Sequence, residues 1–235
     1  MEGEDQGWED IAGDWLPWAR TVDHDAYWSF RSMFFELVPP PGARTLEIGC
    51  GEGRVSRDLA ARGHAVTAVD ASPTLLEAAA AAHAEGEYLI ARAEDLPFAD
   101  GTFDLVVAHN VLMDVDDMPR AVREAARVMT SGGRLCVAVT HPLADAGRWD
   151  GSADDAAFVI DDYLSARTCD LTVERDGLRM RFAGFTYPLE GYVRALEEAG
   201  LLIETMREPA APAGTHGEAR WSRVPNFLYF RALKR

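Results

Sequence analysis

The 235-residue sequence has few cysteines and few basic side chains, and each scarcity narrows the class of protein. Its three cysteines, Cys50, Cys136 and Cys169, fit neither a paired extracellular disulfide framework nor the close spacing of a zinc site. We therefore expect no metal and a reducing, cytoplasmic environment. With 23 basic against 39 acidic side chains, the formal net charge is -16, which repels nucleic-acid phosphates and anionic membranes. The expected partner is a small molecule or a protein, and either a monomer or a homodimer fits the sequence.

Long apolar runs are also missing. No stretch reaches about 18 apolar residues, and residues 1–5 are acidic where a secretory signal is basic. We expect neither export nor a membrane span. The composition itself, 48% hydrophobic and 26% charged, is that of an ordinary globular protein. Since α/β folds of this length often form one domain, the sequence predicts one core with additions.

From Ala43 onward, short apolar runs alternate with helical patterns, which is typical of βα units wound into a parallel sheet. The expected strands are residues 45–48, 65–69, 88–91, 103–108, 134–140, 201–206 and 227–232. Residues 1–42 are rich in aromatic side chains and predict a helical cover on the 43–235 domain. The alternation breaks over about 143–188, which predicts an inserted cap. The cap is expected to contain a hairpin with strands at 171–174 and 178–182 that turns at residues 175–177.

A glycine-rich loop, Glu47 to Gly53, leaves the first expected strand and enters a helix. At such a place a parallel sheet opens to a nucleotide-like ligand, and glycine lets the backbone approach that ligand closely. A dinucleotide fingerprint needs a further glycine where this chain has Arg54, which disfavours a nicotinamide cofactor. Asp70 ends the second strand and can accept hydrogen bonds from both ribose hydroxyls. A turn or capping aspartate before Ser72 is the alternative.

Four motifs follow one another in the chain. They are Leu46–Gly53, Val69-Asp70, Ala93–Phe98 with Asp100–Asp104, and Ser131-Gly132-Gly133. In this order they resemble the motifs of class I, Rossmann-like S-adenosylmethionine-dependent methyltransferases, and most of all the small-molecule enzymes of quinone and natural-product biosynthesis. The resemblance covers about residues 43–142. It implies a three-layer α/β sandwich with a seven-stranded, mostly parallel sheet whose last strand is antiparallel. It also implies S-adenosyl-L-methionine as cofactor and S-adenosyl-L-homocysteine as product.

The same resemblance implies a set of cofactor contacts. The expected residues are Arg20, Tyr27, Glu47, Gly49, Cys50, Gly51, Gly53, Asp70, Ala71, Arg92, Ala93, Glu94 and His109. The glycines would lie beside the methionine moiety, Asp70 on the ribose, and Arg92 with Ala93 at the adenine edge. Many relatives carry an aspartate or asparagine in place of Arg92, so Glu94 or Asp95 would contact the adenine amino group unless both only solvate the loop.

The leading helices of such relatives often fold over the cofactor. Arg20 could then pair with the methionine carboxylate and Tyr27 could donate a hydrogen bond to it. Aromatic packing and surface charge are the alternative roles for this region, and packing is the preferred one for Trp15, Trp18 and Trp28.

His109 and Asn110 end the fourth strand, which in this fold faces the transferable methyl group. A nucleic-acid amino-methyltransferase would carry an Asn/Asp-Pro-Pro-aromatic motif here, and its absence argues, with the net charge, against DNA or RNA bases as acceptors. His141 follows the fifth strand at the same edge and is the candidate general base, because imidazole titrates near neutrality. The neighbouring Pro142 suggests a structural turn as the alternative, because histidines at strand ends also serve as hydrogen-bonding turn residues.

Substrate contacts are expected from His24, Trp149 and Tyr187. Aromatic side chains of the cap could line an apolar acceptor, form a small core of their own, or form a dimer surface. The sequence thus predicts an enzyme that methylates a small organic acceptor in secondary metabolism or quinone-like biosynthesis, on oxygen ahead of nitrogen and carbon. Two alternatives remain: a non-methylating enzyme of the same fold, such as a cyclase that uses the cofactor structurally, and a cofactor-binding regulatory module.

Overall fold

The computed structural model describes residues 7–22, 24–215 and 217–235. The helices are α1 (Gly7–Arg20), α2 (Tyr27–Phe35), α3 (Arg54–Ala61), α4 (Pro73–Ala82), α5 (Met118–Val128), α6 (Pro142–Asp145), α7 (Leu189–Glu198) and α8 (Glu218–Trp221). The strands are β1 (Thr45–Ile48), β2 (Val66–Asp70), β3 (Glu87–Ile90), β4 (Phe103–His109), β5 (Met129–Thr140), β6 (Gly147–Trp149), β7 (Phe158–Ile160), β8 (Arg167–Arg175), β9 (Leu178–Thr186), β10 (Leu201–Arg207) and β11 (Phe227–Lys234). No helix in these ranges is long and apolar enough to cross a membrane.

The central sheet has seven strands in the order β10-β11-β5-β4-β1-β2-β3. Strands β1 to β5 pair in parallel, whereas β11 runs antiparallel to both β5 and β10. The predicted α/β sheet with a reversed last strand is therefore confirmed. β5 begins at Met129, earlier than the expected 134, because Met129 already pairs with Phe103 before the register shifts and pairing resumes at Arg134.

Helices cover both faces of this sheet, which is why its inner strands β1 and β4 are buried along nearly their whole length. On one face Leu46 and Val106 pack in a cluster with residues of α5 and α7. On the other face Val107 packs with Phe34 of α2 and Leu59 of α3. Successive residues of a strand point to opposite faces, so β4 contributes to both cores and the fold has three layers.

The aromatic amino-terminal region forms two helices with different positions. The α2 side chains Phe30 and Phe34 belong to the core of one layer. In contrast, α1 packs outside that layer, where Ile11 and Trp18 meet Met180 of β9. Helix α1 and the antiparallel pair β8-β9 thus lie against each other.

The segment that interrupts the alternation contains two small antiparallel pairs, β6-β7 and β8-β9. The longer hairpin turns at Asp176 and Gly177, both with positive φ, 48° and 80°, as a two-residue turn between twisted strands requires. Its strands extend beyond the expected 171–174 and 178–182 because pairing continues out to Arg167 and Thr186.

Candidate active site

The glycine loop connects β1 to α3 at the carboxyl edge of the sheet. Gly49, Gly51 and Gly53 have φ of 66°, 54° and 82°, a region that favours glycine. A Cβ atom at Gly49 would overlap the side chain of Val111, and one at Gly53 would lie 2.9 Å from Cβ of Ala79. The loop therefore requires glycine both for its backbone conformation and for its close approach to Val111 and Ala79.

Asp70 holds this loop from the neighbouring strand. Its carboxylate accepts hydrogen bonds from the backbone N–H groups of Gly51 at 2.7 Å and Ser72 at 2.9 Å. Burial raises the pKa of Asp70, and those backbone donors oppose the rise. Ser72, not Asp70, caps α4 by accepting from the N–H of Leu75. The structure thus places Asp70 between the loop and α4, where the ribose contact remains a prediction.

Glu47 and Cys50 are sealed beneath the loop. The Ser56 hydroxyl donates to the Glu47 carboxylate, and burial raises the pKa of Glu47 to about 8. Glu47 is therefore largely protonated near pH 7. Burial also raises the pKa of the Cys50 thiol well above its usual value, which makes it an inert packing residue against Ala68 and Leu76. Both residues support the loop from below.

Arg54, used in the sequence only to decide the glycine register, organises the amino-terminal side of the site. Its guanidinium pairs with Asp25 at 2.9 Å and lies over the rings of Trp15 and Tyr27, at 5.0 and 4.5 Å. Its Nη1 atom is buried and has no hydrogen-bond partner among the described residues. In the sequence, this pair could have been sought from an arginine directly after Gly53 and an acidic residue, Asp25, in the aromatic cover.

Arg20 and Tyr27 differ from their expected contacts to a methionine carboxylate. The Arg20 guanidinium donates to Glu52 and to the carbonyl of Ala78, both at 3.1 Å. The Tyr27 hydroxyl donates its one proton to Asp58 at 2.5 Å, so it has none left for a cofactor carboxylate. These side chains attach the amino-terminal helices to the loop region, to α3 and to α4.

Glu9 of α1 reaches the start of α4, next to Asp70, and was not expected from the sequence. Its carboxylate accepts from the Ser72 hydroxyl, from the Thr74 hydroxyl at 2.5 Å and from the Thr74 N–H at 3.3 Å. The hydrogen bond from Ser72, and then that from Thr74, lower the pKa of Glu9. Helix α1 therefore lies across the edge at which the adenosine is predicted.

The predicted adenine edge lies where β3 ends. Ala71 is exposed there and Ala93 is buried. Arg92 donates to Asp116 at 2.7 Å, while the buried Glu94 carboxylate accepts from the N–H groups of Asp116 at 3.0 Å and of Asp117 at 3.3 Å. Glu94 thus braces the approach to α5 instead of solvating its loop, and its contact to adenine stays a prediction.

His109 lies among aromatic rings at the end of β4. Its ring centroid is 5.3 Å from that of Tyr27 and 4.8 Å from that of Phe34, both edge to face. Burial, with Arg54 nearby, lowers the pKa of His109 to about 3, so the ring is neutral. The structure thus brings His109 into contact with α2, whereas the sequence suggested that this strand end faces the methyl group.

His141 has the geometry of a helix cap. Its Nδ1 accepts the N–H of Leu143 at 3.0 Å, and its Nε2 lies 2.9 Å from the Glu208 carboxylate, to which it donates. Because one ring nitrogen accepts from the backbone and the other carries the proton, neither is free to take a proton from a substrate. This geometry favours the structural turn that the sequence left open, and the role of His141 as a general base stays a prediction.

The three expected substrate residues are far from forming one pocket. His24 contacts the hairpin turn, with Nε2 3.3 Å from the Arg175 carbonyl. Trp149 packs against Phe158 of the cap and Trp221 of α8, at ring distances of 4.8 and 5.7 Å. Tyr187 alone lies at the carboxyl edge, where β9 leads into α7. Among the described residues, no cluster of histidine, cysteine, aspartate or glutamate is arranged to hold a metal ion.

The known proteins that this chain resembles include methyltransferases. Residues 46–137 match the family described as "Methyltransferase domain". The chain is 37% identical over 93 residues to a malonyl-acyl-carrier-protein O-methyltransferase of Serratia marcescens, covering 40% of this chain and 36% of that protein. It is 35% identical over 121 residues to a demethylmenaquinone methyltransferase of Tropheryma whipplei, covering 50% of each. The match thus spans half or less of the length of these curated relatives.

Solved structures show the same fold over nearly the whole chain. An S-adenosylmethionine-dependent methyltransferase from Mesorhizobium loti superposes with a TM-score of 0.71 at 22% identity, covering 91% of this chain and all of the other. The 4+2 cyclase SpnF superposes with a TM-score of 0.65 at 18% identity, covering 97% and 94%. Residues 46–137 thus match a methyltransferase domain, and over nearly its whole length the chain has the fold of S-adenosylmethionine-dependent methyltransferases.

Proposed function

We propose that this chain transfers a methyl group from S-adenosylmethionine to a small organic acceptor, with oxygen ahead of nitrogen and carbon as the methylated atom. The observation that carries the proposal is the glycine loop fixed by Asp70 at the carboxyl edge of a sheet whose sequence matches methyltransferases. The preference for oxygen no longer has support from His141. It rests on the similarity to a relative named as an O-methyltransferase.

The residues of the site fit the cofactor. Gly49 and Gly51 leave the loop backbone open to a close ligand, and the buried Asp70 carboxylate would hold the ribose. Arg54 presents a buried donor without a partner in the described part of the chain, which a ligand carboxylate would satisfy. When bound, the cofactor supplies an activated methyl group on a sulfonium. The protein aligns the acceptor with it and keeps water away, α1 lying across the site.

We propose a cytoplasmic location and a small-molecule partner in quinone-like or secondary metabolism, with no nucleic-acid partner. The net charge of -16 and the buried cysteines Cys50 and Cys136, neither of which forms a disulfide, support this proposal. The division into a cover of residues 1–42, a domain of 43–235 and a cap near 143–188 is likewise proposed. The β6-β7 and β8-β9 pairs, which lie outside the central sheet, support the cap.

The second candidate is a non-methylating enzyme, favoured by the similarity to a cyclase structure over 97% of this chain. Incubation with cofactor labelled in its methyl group and a panel of phenols, carboxylic acids and amines distinguishes the two. Label in the product supports methyl transfer, and turnover to an unlabelled product contradicts it. Cofactor binding with no turnover of any acceptor would favour a regulatory module. The exposed Asp170→Asn variant, in which only a surface pair with Arg181 is changed, should keep full labelling.

A further inference from the structure

A group of partly buried acidic and phenolic side chains lies at the carboxyl edge of β4 and β5. Its members come from separate elements: Asp114 from the loop after β4, Asp145 from α6, Tyr187 from the end of β9 and Tyr192 from α7. The sequence analysis singled out only Tyr187. This edge adjoins the glycine loop, since Val111, three residues before Asp114, fills the space beside Gly49.

Asp114 is a carboxyl group without a cation. The hairpin packs onto it, with the Phe185 N–H donating to the Met113 carbonyl at 2.7 Å, and a Cβ atom at Gly184 would lie 2.8 Å from Asp114 Oδ1. Its carboxylate accepts no hydrogen bond from the described residues. Burial, then the charges of Asp145 and Asp70, raise the pKa of Asp114 well above its usual value. Every charge that acts on this group is therefore negative.

Asp145, unlike Asp114, has a hydrogen-bond donor for its carboxylate. It accepts from the Thr140 hydroxyl at 2.7 Å, and the guanidinium of Arg167 donates to its backbone carbonyl at 2.7 Å. Burial raises the pKa of Asp145 to about 6, against the opposing effects of Thr140 and Arg167. The cation that acts on Asp145 thus does not act on Asp114.

Tyr192 supplies an independent sign of a missing ligand. The residue is only 2% exposed, and its hydroxyl is buried without a partner among the described residues. After burial itself, the groups that raise the pKa of Tyr192 are Asp145, Tyr187 and Asp114. Because a buried hydroxyl without a hydrogen bond is unfavourable, this atom is a candidate to bind a ligand that reaches the two carboxyl groups.

A protonated amine matches this environment. An ammonium group has three N–H donors and one positive charge, enough to satisfy two carboxyl groups and the Tyr192 hydroxyl. A cation relieves the unfavourable environment that raises the two pKa values, whereas a neutral hydroxyl does not and an anion adds to it. We propose that Asp114, Asp145 and Tyr192 bind a protonated amino group of the acceptor, which is therefore a cationic amine.

This inference rests on the proposed function, because it takes the carboxyl edge of β4 and β5 as the place where the acceptor lies. The bound ammonium is an anchor and not the methylated atom, since a protonated nitrogen has no lone pair to attack the methyl group. The nucleophile is a second group on the same molecule, such as a hydroxyl.

The test uses the full chain saturated with S-adenosylhomocysteine and three phenols that differ in charge: tyramine, 4-ethylphenol and 4-hydroxyphenylacetate. Calorimetry should show tyramine binding at least about tenfold more tightly than 4-ethylphenol, with the acid weakest, as a charge-assisted hydrogen bond implies. In Asp114→Asn the preference for tyramine should fall to about threefold or less. Asp170→Asn, an exposed aspartate of the same hairpin, should keep the full preference.

Equal affinity of wild type for tyramine and 4-ethylphenol, or no binding of tyramine, would overturn the ammonium site while S-adenosylhomocysteine binding left the proposed function standing. A preference that survives in Asp114→Asn would overturn it as well. Should Asp114→Asn fail to bind S-adenosylhomocysteine, Tyr192→Phe replaces it, with the same loss of preference expected. A wild-type chain that does not bind S-adenosylhomocysteine would contradict the proposed function itself, and the ammonium site with it.

Discussion

Two carboxyl groups on neighbouring strands face the glycine loop from different surroundings. Glu47 on β1 is fully buried, with the Ser56 hydroxyl as its hydrogen-bond donor. Asp70 on β2 accepts from two backbone N–H groups, which favour its ionised form. Burial raises the pKa of both, and for Glu47 it reaches about 8. One group thus supports the loop as an acid, while the other is suited to accept from ligand hydroxyls.

The protonated state of Glu47 makes stability depend on pH. The folded pKa of about 8 lies above the unfolded value of 4.5, so between these limits the folded chain binds more protons and loses stability as pH rises. Relative to Glu47→Gln, the wild type should lose up to about 1.4 kcal/mol per pH unit from pH 5 to 8 and level off above pH 8. Urea unfolding of both proteins across this range measures the difference, and parallel stability curves would contradict the raised pKa.

Residue positions at strand ends could be predicted from the sequence, but side-chain partners could not. Asp70 falls at the loop because parallel strands end at one edge, a regularity that the sequence pattern reveals. The bonds from Tyr27 to Asp58 and between His141 and Glu208 join residues 31 and 67 positions apart. Such contacts depend on how whole elements pack, and no local pattern records them.

At the scale of elements, the β8-β9 hairpin also combines a feature that the sequence predicts with one that it does not. Its turn could be predicted, because Asp176 and Gly177 favour positive φ. Its docking could not, because this depends on a close approach between β9 and the loop after β4. Gly184 allows that approach, since a Cβ atom there would lie 2.6 Å from the backbone oxygen of Met113.

Gly184→Ala should therefore lower the free energy of unfolding by about 1–3 kcal/mol, because backbone atoms cannot yield as a flexible side chain can. Gly191→Ala is the matched control. Gly191 lies within α7, and a Cβ atom there would be 3.5 Å from Cβ of Tyr187, an ordinary van der Waals contact. The Gly191→Ala substitution should therefore be neutral or stabilise the fold by up to about 1 kcal/mol. Urea denaturation compares the two variants with wild type. Equal stability of Gly184→Ala and wild type would mean that the hairpin docks differently.

At the scale of the whole molecule, the seven-stranded sheet could be predicted because each strand and helix carries its own hydrophobic period and turn residues. The crossing of α1 over the site could not. It depends on Glu9 meeting Ser72 and Thr74, and on Trp18 packing with Met180. The aromatic residues of the cover predict that it packs against the rest of the chain, but they do not predict which surface it packs against. The site is thus a product of the complete fold, closed by a helix from outside the matched segment.

The central claim is that this fold binds S-adenosylmethionine through the glycine loop and Asp70. Calorimetry of the full chain with S-adenosylhomocysteine and, separately, with NAD tests it most directly. We predict one site for S-adenosylhomocysteine, no measurable binding of NAD, and a loss of about 1–3 kcal/mol in Asp70→Ala, as removal of two ribose hydrogen bonds implies. Tight binding of NAD without binding of S-adenosylhomocysteine, or unchanged affinity in Asp70→Ala, would contradict it.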